Sequence, residues 1–356
     1  SVCTNFPALK WPREVVGVKD NPVGIGVAAD GSIQFGPEIA NYKKAVAFFE
    51  IDGYRFGSLS NACSKRLLND YMPIVVCGDR RDGLGLEETV FGYSKGFSPD
   101  ETVYAYARLQ AENSGSSART VTIALKAGPD ATRTVLSWSM EVPAGSRSSI
   151  EVRLPCNRLE IPSARAKAKE SHVGQIFTTF AQPPEKLAGN EFDATLARTT
   201  NYWADLIDRG SRFDVPEARV QNAYRAWIAY NFINVSKRGD VYHVCDGSGF
   251  YSQIYGYSAA LYGNNMDLLG YHDLAAQYLE SLLTFVQTNG LLAVNFGSTD
   301  TGAALWAMSE HYWITRDAQW LRRMAPTMIR MCGWIIEQRR LLNENPDKDS
   351  RTRGLI

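Results

Sequence analysis

No CxxC pair occurs among the six cysteines, Cys3, Cys63, Cys77, Cys156, Cys245 and Cys332, and there are only four histidines, His172, His243, His272 and His311. A zinc site needs closely spaced Cys and His; the nearest pair, His243 with Cys245, reads as chance spacing, and no metal is expected. Cysteine spacing fixes neither compartment nor pairing. Charge of one sign is lacking too: 38 basic residues balance 38 acidic ones, and no long run of either sign interrupts the chain. That excludes nucleic acid or an anionic membrane as the main partner. No apolar run approaches the ~20 residues needed to span a bilayer. No signal-peptide pattern is legible, and because the chain opens on Ser1 rather than Met, either processing or trimming of its start is expected. An extracellular or periplasmic location is expected ahead of a cytoplasmic one.

What is present is an ordinary globular composition, 45% hydrophobic and 21% charged over 356 residues, enough for about two domains. From Gly24 to about Pro155 short alternating runs are separated by turn residues. Val46–Ile51, Thr102–Leu109, Thr120–Leu125 and Ser149–Leu154 alternate with Asp30-Gly31, Asp52-Gly53 and Ala144-Gly145. Such spacing predicts antiparallel strands in a sandwich. In Thr102–Leu109 the alternation puts Val103, Ala105, Ala107 and Leu109 on one face and Thr102, Tyr104, Tyr106 and Arg108 on the other. The acidic stretch Gly83–Glu88 reads as a solvated loop. Between Ser163 and Arg212 the pattern changes: a charged, Ala-rich stretch, a break at Gln182-Pro183-Pro184, then Leu196, Thr199, Trp203 and Leu206 at helical spacing. The expected layout is a β-sandwich domain over 1–160, a linker with a docking helix over 161–212, and a helical domain over 213–356.

Within that last part five helices are predicted. The first starts at Asp214-Val-Pro216-Glu217, with Asp214 as cap and Pro216 in the first turn, and runs to about Val235. The loop Lys237–Gly249 follows, then an apolar helix over Tyr251–Leu269, an amphipathic one over His272–Gln287, an apolar one after Asp300, and a last amphipathic one over Ala318–Leu342. Asp300 is expected to cap its own helix. Amphipathic and apolar helices alternate, which predicts concentric layers with the apolar helices inside.

The stretches FDVPEARVQNAYRAWIAYNFINV, YGYSAALYGNNMDLLGYHDLAAQYLESLLTFVQTNG and STDTGAALWAMSEHYWITRDAQWL, spanning Trp203–Arg340 with their surroundings, resemble the six-hairpin (α/α)6 glycosidases, the group that includes glucoamylases and α-L-rhamnosidases. The order of β-sandwich, helical linker and helices is similar as well. The resemblance implies a carbohydrate-active enzyme that hydrolyses a glycosidic bond with paired carboxylates, needs no cofactor, and takes an oligo- or polysaccharide or a glycoside. It implies that the inner helices begin on the pocket face, so that Lys237–Ser252, Asn289–Thr301 and the tail from Asn343 line the pocket. Asp240, His243, Asp246, Tyr251, Asn295 and Asp300 then belong at its mouth, with Tyr255 and Glu310 further along the inner helices. Substrate-binding candidates are Asp246, Tyr251, Tyr255, Asn295, Asp300 and His311; the catalytic candidates are Asp300 and Glu310. Each, taken singly, also suits capping or loop structure.

Two departures qualify the resemblance. Many relatives carry Arg-Asp near the start of the second helix, where this chain has Gly256-Tyr257-Ser258. A full toroid has about twelve helices, and five are legible here, so the chain is expected to carry the first part of a toroid. No acid/base pair is identifiable; Glu344, Asp347 and Asp349 qualify only by position. A phosphorylase or lyase, or a noncatalytic saccharide-binding or structural protein on the same scaffold, are the alternatives. The low charge of the apolar helices predicts a flank that further polypeptide or a second copy of the chain would cover.

Overall fold

The computed structural model describes residues 14–35, 45–58, 64–128, 133–161, 175–180, 183–247, 254–294 and 299–344. Among the described residues the N-terminal part holds two seven-stranded antiparallel sheets. In the first, the strands Glu14–Val16, Ile25–Val27, Ile33–Phe35, Ala45–Ile51, Arg119–Gly128 and Arg133–Val142 lie in that order, with Tyr54–Arg55 paired to Ala45–Ile51. In the second the order is Gln175–Phe180, Arg147–Ile161, Val103–Asn113, Leu84–Tyr93, Met72–Arg81 and Ser64–Leu68, with Glu185–Lys186 on Arg147–Ile161.

The predicted alternation holds residue by residue. Val103, Ala105, Ala107 and Leu109 join one core with Val16, Ile25, Ile33, Phe49, Ile123 and Leu125 of the first sheet. Tyr104 and Tyr106 point the other way, into a second core shared with the helices. The second sheet is thus covered on both faces, which is why Met72–Cys77 is buried without alternation. Its strands extend beyond residue 160, because Gln175–Phe180 and Glu185–Lys186, assigned by sequence to the linker, pair with Arg147–Ile161.

Gly83–Glu88 is not a solvated loop. Asp82 and Gly83, both at positive φ, form a two-residue hairpin turn, and Leu84 opens a strand. Glu88 faces inward with Leu84, Leu86 and Val90 and is buried. Its Oε1 has no hydrogen-bond partner among the described residues. Burial, with repulsion from Asp30 added, holds this carboxyl well above the usual carboxylate range.

Six helices follow among the described residues: α1 (Glu191–Asp208), α2 (Ala218–Ile233), α3 (Gly256–Leu268), α4 (His272–Leu283), α5 (Asp300–Thr315) and α6 (Ala318–Glu344). α1 lies on the second sheet. Phe192 meets Phe91 edge-on, Tyr202 stacks on Phe97 at 4.0 Å, and Arg108 sits over the Phe192 ring while pairing with Glu151 and Asp193. Trp203 and Thr199 are fully buried at the expected spacing. α2 starts at Ala218, after the Asp214-Val-Pro216-Glu217 signal, because Glu217 keeps an extended backbone and takes the cap position.

The stretch after α2 contains strands as well as loop. Val235–Arg238 and Val241–Val244 form a hairpin across Gly239-Asp240, with Gly239 at φ 58°. The β-branched and aromatic residues of Val-Tyr-His-Val pack on α4, where Ser281 Oγ accepts from the Tyr242 N–H. No helix among the described residues is long and apolar enough to cross a membrane.

Candidate functional site

The site begins with the packing of α3 and α5. Both are apolar and nearly featureless in amphipathicity. Asp300, in the first turn of α5, sits against Gly256 and Tyr257 at the start of α3, and His311, in the last turns of α5, meets Asp267 at the end of α3. Contact at both ends makes the two helices parallel neighbours whose N-termini share one face. α4 runs back from α3 through the turn at Gly270 (φ 85°), and α6 follows α5 after Arg316 (φ 57°), with Asp317 capping its first turn.

Asp300 does not cap its own helix. The cap position of α5 is Thr299. The Asp300 carboxylate, 4% exposed, instead accepts from the backbone N–H of Tyr257 at 2.9 Å and from that of Val294 at 3.0 Å. It therefore caps α3 from outside, at a place where α3 has no side-chain cap of its own. Lying at two helix N-termini, it also meets two favourable dipole ends. A β-carbon at residue 256 would collide with this carboxylate, so glycine is required there. Thr301 Oγ1 completes the arrangement, accepting from the Leu292 N–H at 3.0 Å and donating to the Leu292 carbonyl at 3.3 Å. Leu292 and Val294, ahead of α5 in the chain, are thus tied to the first residues of that helix.

Of the other predicted residues, Asp240 is exposed at the hairpin tip, Asp246 is exposed, Tyr255 is half-buried just before α3, and His243 is buried edge-on to Phe285 at 6.3 Å. Tyr251, Asn295, Asp347 and Asp349 lie outside the described residues, and Glu344 is exposed at the end of α6. Glu310 is half-buried on α5. It stands ten residues beyond Asp300, about 15 Å along the helix axis. That exceeds the ~6.5–9.5 Å that separates the acid and base of an inverting glycosidase. The two catalytic candidates are not brought together.

His311 lies at the far end of the helices. It is buried, its ring Nδ1 is 2.8 Å from Asp267 Oδ2, and it meets Trp320 edge-on at 4.4 Å. Asp267 Oδ1 also bonds His272 Nδ1 at 3.0 Å. This is an internal tie between α3, α4 and α5, well away from the helix starts. Sequence reasoning missed Asp267, Gly256 and Tyr257. Tyr257 keeps half of its surface exposed, so an aromatic ring is presented beside the start of α3.

No family model matches this sequence, and no curated protein matches it. Solved structures similar in shape include a bacterial glucoamylase in complex with acarbose, at 12% identity and a TM-score of 0.46, with 94% of this chain and 61% of that chain covered. A GH92 α-mannosidase from Bacteroides thetaiotaomicron is similar at 8% identity and a TM-score of 0.30, covering 98% and 66%. The same mannosidase with mannoimidazole gives 9% identity, a TM-score of 0.28, and 95% and 63%. This chain spans between 61% and 66% of the length of these structures.

Proposed function

We propose that this chain is a carbohydrate-active protein of the glycosidase type, a β-sandwich joined to the first part of an (α/α)6 toroid, which takes a saccharide on the face where α3 and α5 begin. The observation that carries the reading is the parallel pairing of two apolar helices, with starts locked together by Asp300 and amphipathic α4 and α6 running between and beyond them. This pairing supports the alternation of inner and outer helices which the sequence resemblance implies. In this reading Tyr257 offers a ring face for stacking, and the exposed Asp246 a carboxylate for sugar hydroxyls.

The reaction proposed is hydrolysis of a glycosidic bond without an organic cofactor. A noncatalytic saccharide-binding role is the second reading. It is favoured by the commitment of the Asp300 carboxylate to two backbone N–H groups and by the distance from Asp300 to Glu310. Incubation with a panel of neutral oligosaccharides, read both as binding by titration and as release of reducing sugar, separates the readings. Binding with turnover supports the enzyme, binding without turnover supports the second reading, and no binding at all contradicts both.

A further inference from the structure

At the other end of α3, some 20 Å from the helix-start face by the length of that helix, the segment between α1 and α2 forms one wall of a cavity. It has a volume of about 430 Å³ and is lined by residues that include Asp208, Arg212, Phe213, Asp214, Gln221 and Tyr224. Sequence composition makes this segment a linker, yet it is fastened at several points. Tyr271 Oη donates to the carbonyls of Leu206 and Ile207 at the end of α1, at 2.8 and 3.2 Å. The Ser211 N–H donates to the Leu269 carbonyl at 2.7 Å, and Tyr224 Oη donates to the Ser211 carbonyl at 3.1 Å. Gln221 Nε2 reaches the Phe213 carbonyl. A β-carbon at Gly210 would strike the Tyr271 ring.

The effect of these ties is to hold Phe213 against Tyr224, ring centroids 4.9 Å apart, with 42% of the Phe213 surface left in water. An apolar ring fixed in that position gains little from folding, because much of its area stays wet. Beside it stand two carboxylates and two guanidiniums, Asp208 and Asp214 with Arg212 and Arg225. Arg225 is already paired with Asp208 at 3.0 Å and laid over the Tyr71 ring at 3.7 Å. The lining carries no net charge, which disfavours an anion or a cation as ligand. Ring faces together with planar polar groups in balanced charge suit a neutral, hydroxyl-rich ring compound. The volume falls within the ~300–1,000 Å³ range of small-molecule sites, and the fixed walls reduce the entropy lost on binding.

We infer that this cavity is a second binding site for a neutral saccharide, remote from the helix-start face. The choice of a saccharide rests on the function proposed above; the existence of the site does not. The test is a titration of the whole chain with a panel of neutral gluco- and manno-configured oligosaccharides, followed by ligand-observed NMR, for wild type and for Phe213→Ala, Gln221→Ala and Tyr257→Ala. Thermal unfolding reports whether each variant is intact. The inference predicts that Phe213→Ala and Gln221→Ala each weaken binding severalfold with unchanged unfolding, and that a component of binding survives Tyr257→Ala. Binding that is lost with Tyr257→Ala and unaffected by Phe213→Ala and Gln221→Ala overturns the second site and leaves the proposed function standing. Binding lost with Phe213→Ala alone supports the second site and contradicts the helix-start face. Absence of binding by the wild-type chain overturns both.

Discussion

The carboxylate of Asp300 accepts a hydrogen bond from the backbone of Tyr257, on a helix that begins 44 residues earlier, and so one acidic side chain from α5 closes the N-terminus of α3. The first consequence concerns stability. Removing the carboxylate leaves the buried Val294 N–H and the part-buried Tyr257 N–H without this acceptor, and a buried group so stranded costs about 1–3 kcal/mol. Asp300→Ala is expected to lower unfolding free energy by about 2–4 kcal/mol in urea titrations, and Asp300→Asn, which keeps one acceptor, by less. A loss below about 0.5 kcal/mol for the alanine variant, the range of ordinary surface changes, would mean that Asp300 does not hold the two helix starts.

This tie shows where local reading of the sequence ends. Asp300 stands where a cap belongs, and spacing alone assigns it to its own helix; its actual acceptor role depends on a chain neighbour 43 positions away, to which local pattern is blind. The β then α order and the strand faces of Thr102–Leu109 were legible because strand alternation and 3.6-residue helical spacing are local. Asp267 with His311 was not, since nothing in the sequence around either residue signals the other. The hairpin at Gly239-Asp240 and the turn at Asp82-Gly83 did carry local signals, short Gly-containing turns between β-formers, which acidic and polar composition concealed.

Glu88 supplies a prediction about pH. Its carboxyl is held above the usual carboxylate range in the folded chain by burial and by Asp30. Between the unfolded and folded values the native state holds a proton that the unfolded chain gives up, so stability is full at low pH and falls as pH rises through that window. Glu88→Gln removes this dependence. It is expected to raise stability above the window and to flatten the pH profile of chemical unfolding; an unchanged slope would place Glu88 in water.

Asp267 is expected to matter for stability and not for ligand. Asp267→Ala strips the partner from the buried His311 ring and from His272, a loss of about 1–3 kcal/mol. Saccharide affinity of the folded variant should equal that of wild type. A large fall in affinity with unchanged unfolding would return His311 to the substrate.

The apolar flanks of the helices give a hydrodynamic prediction. Leu268 on α3 is 65% exposed, Trp313 on α5 58%, and Ile336 on α6 69%, with Tyr257, Leu261 and Trp306 also in water. Surfaces of this kind are covered in stable assemblies. The 356-residue chain is expected to self-associate in sedimentation or to bind an apolar dye, and Leu268→Gln with Trp313→Gln should reduce either effect. A monomer that binds no dye would show that these side chains need no cover.

The central claim is that a saccharide binds where α3 and α5 begin, and hydrogen exchange locates binding without altering the site. Amide exchange of the whole chain, followed by mass spectrometry with and without the tightest-binding neutral oligosaccharide, reads protection segment by segment. The account predicts slower exchange over residues 239–257 and 289–301. Binding that leaves both segments unchanged would contradict it.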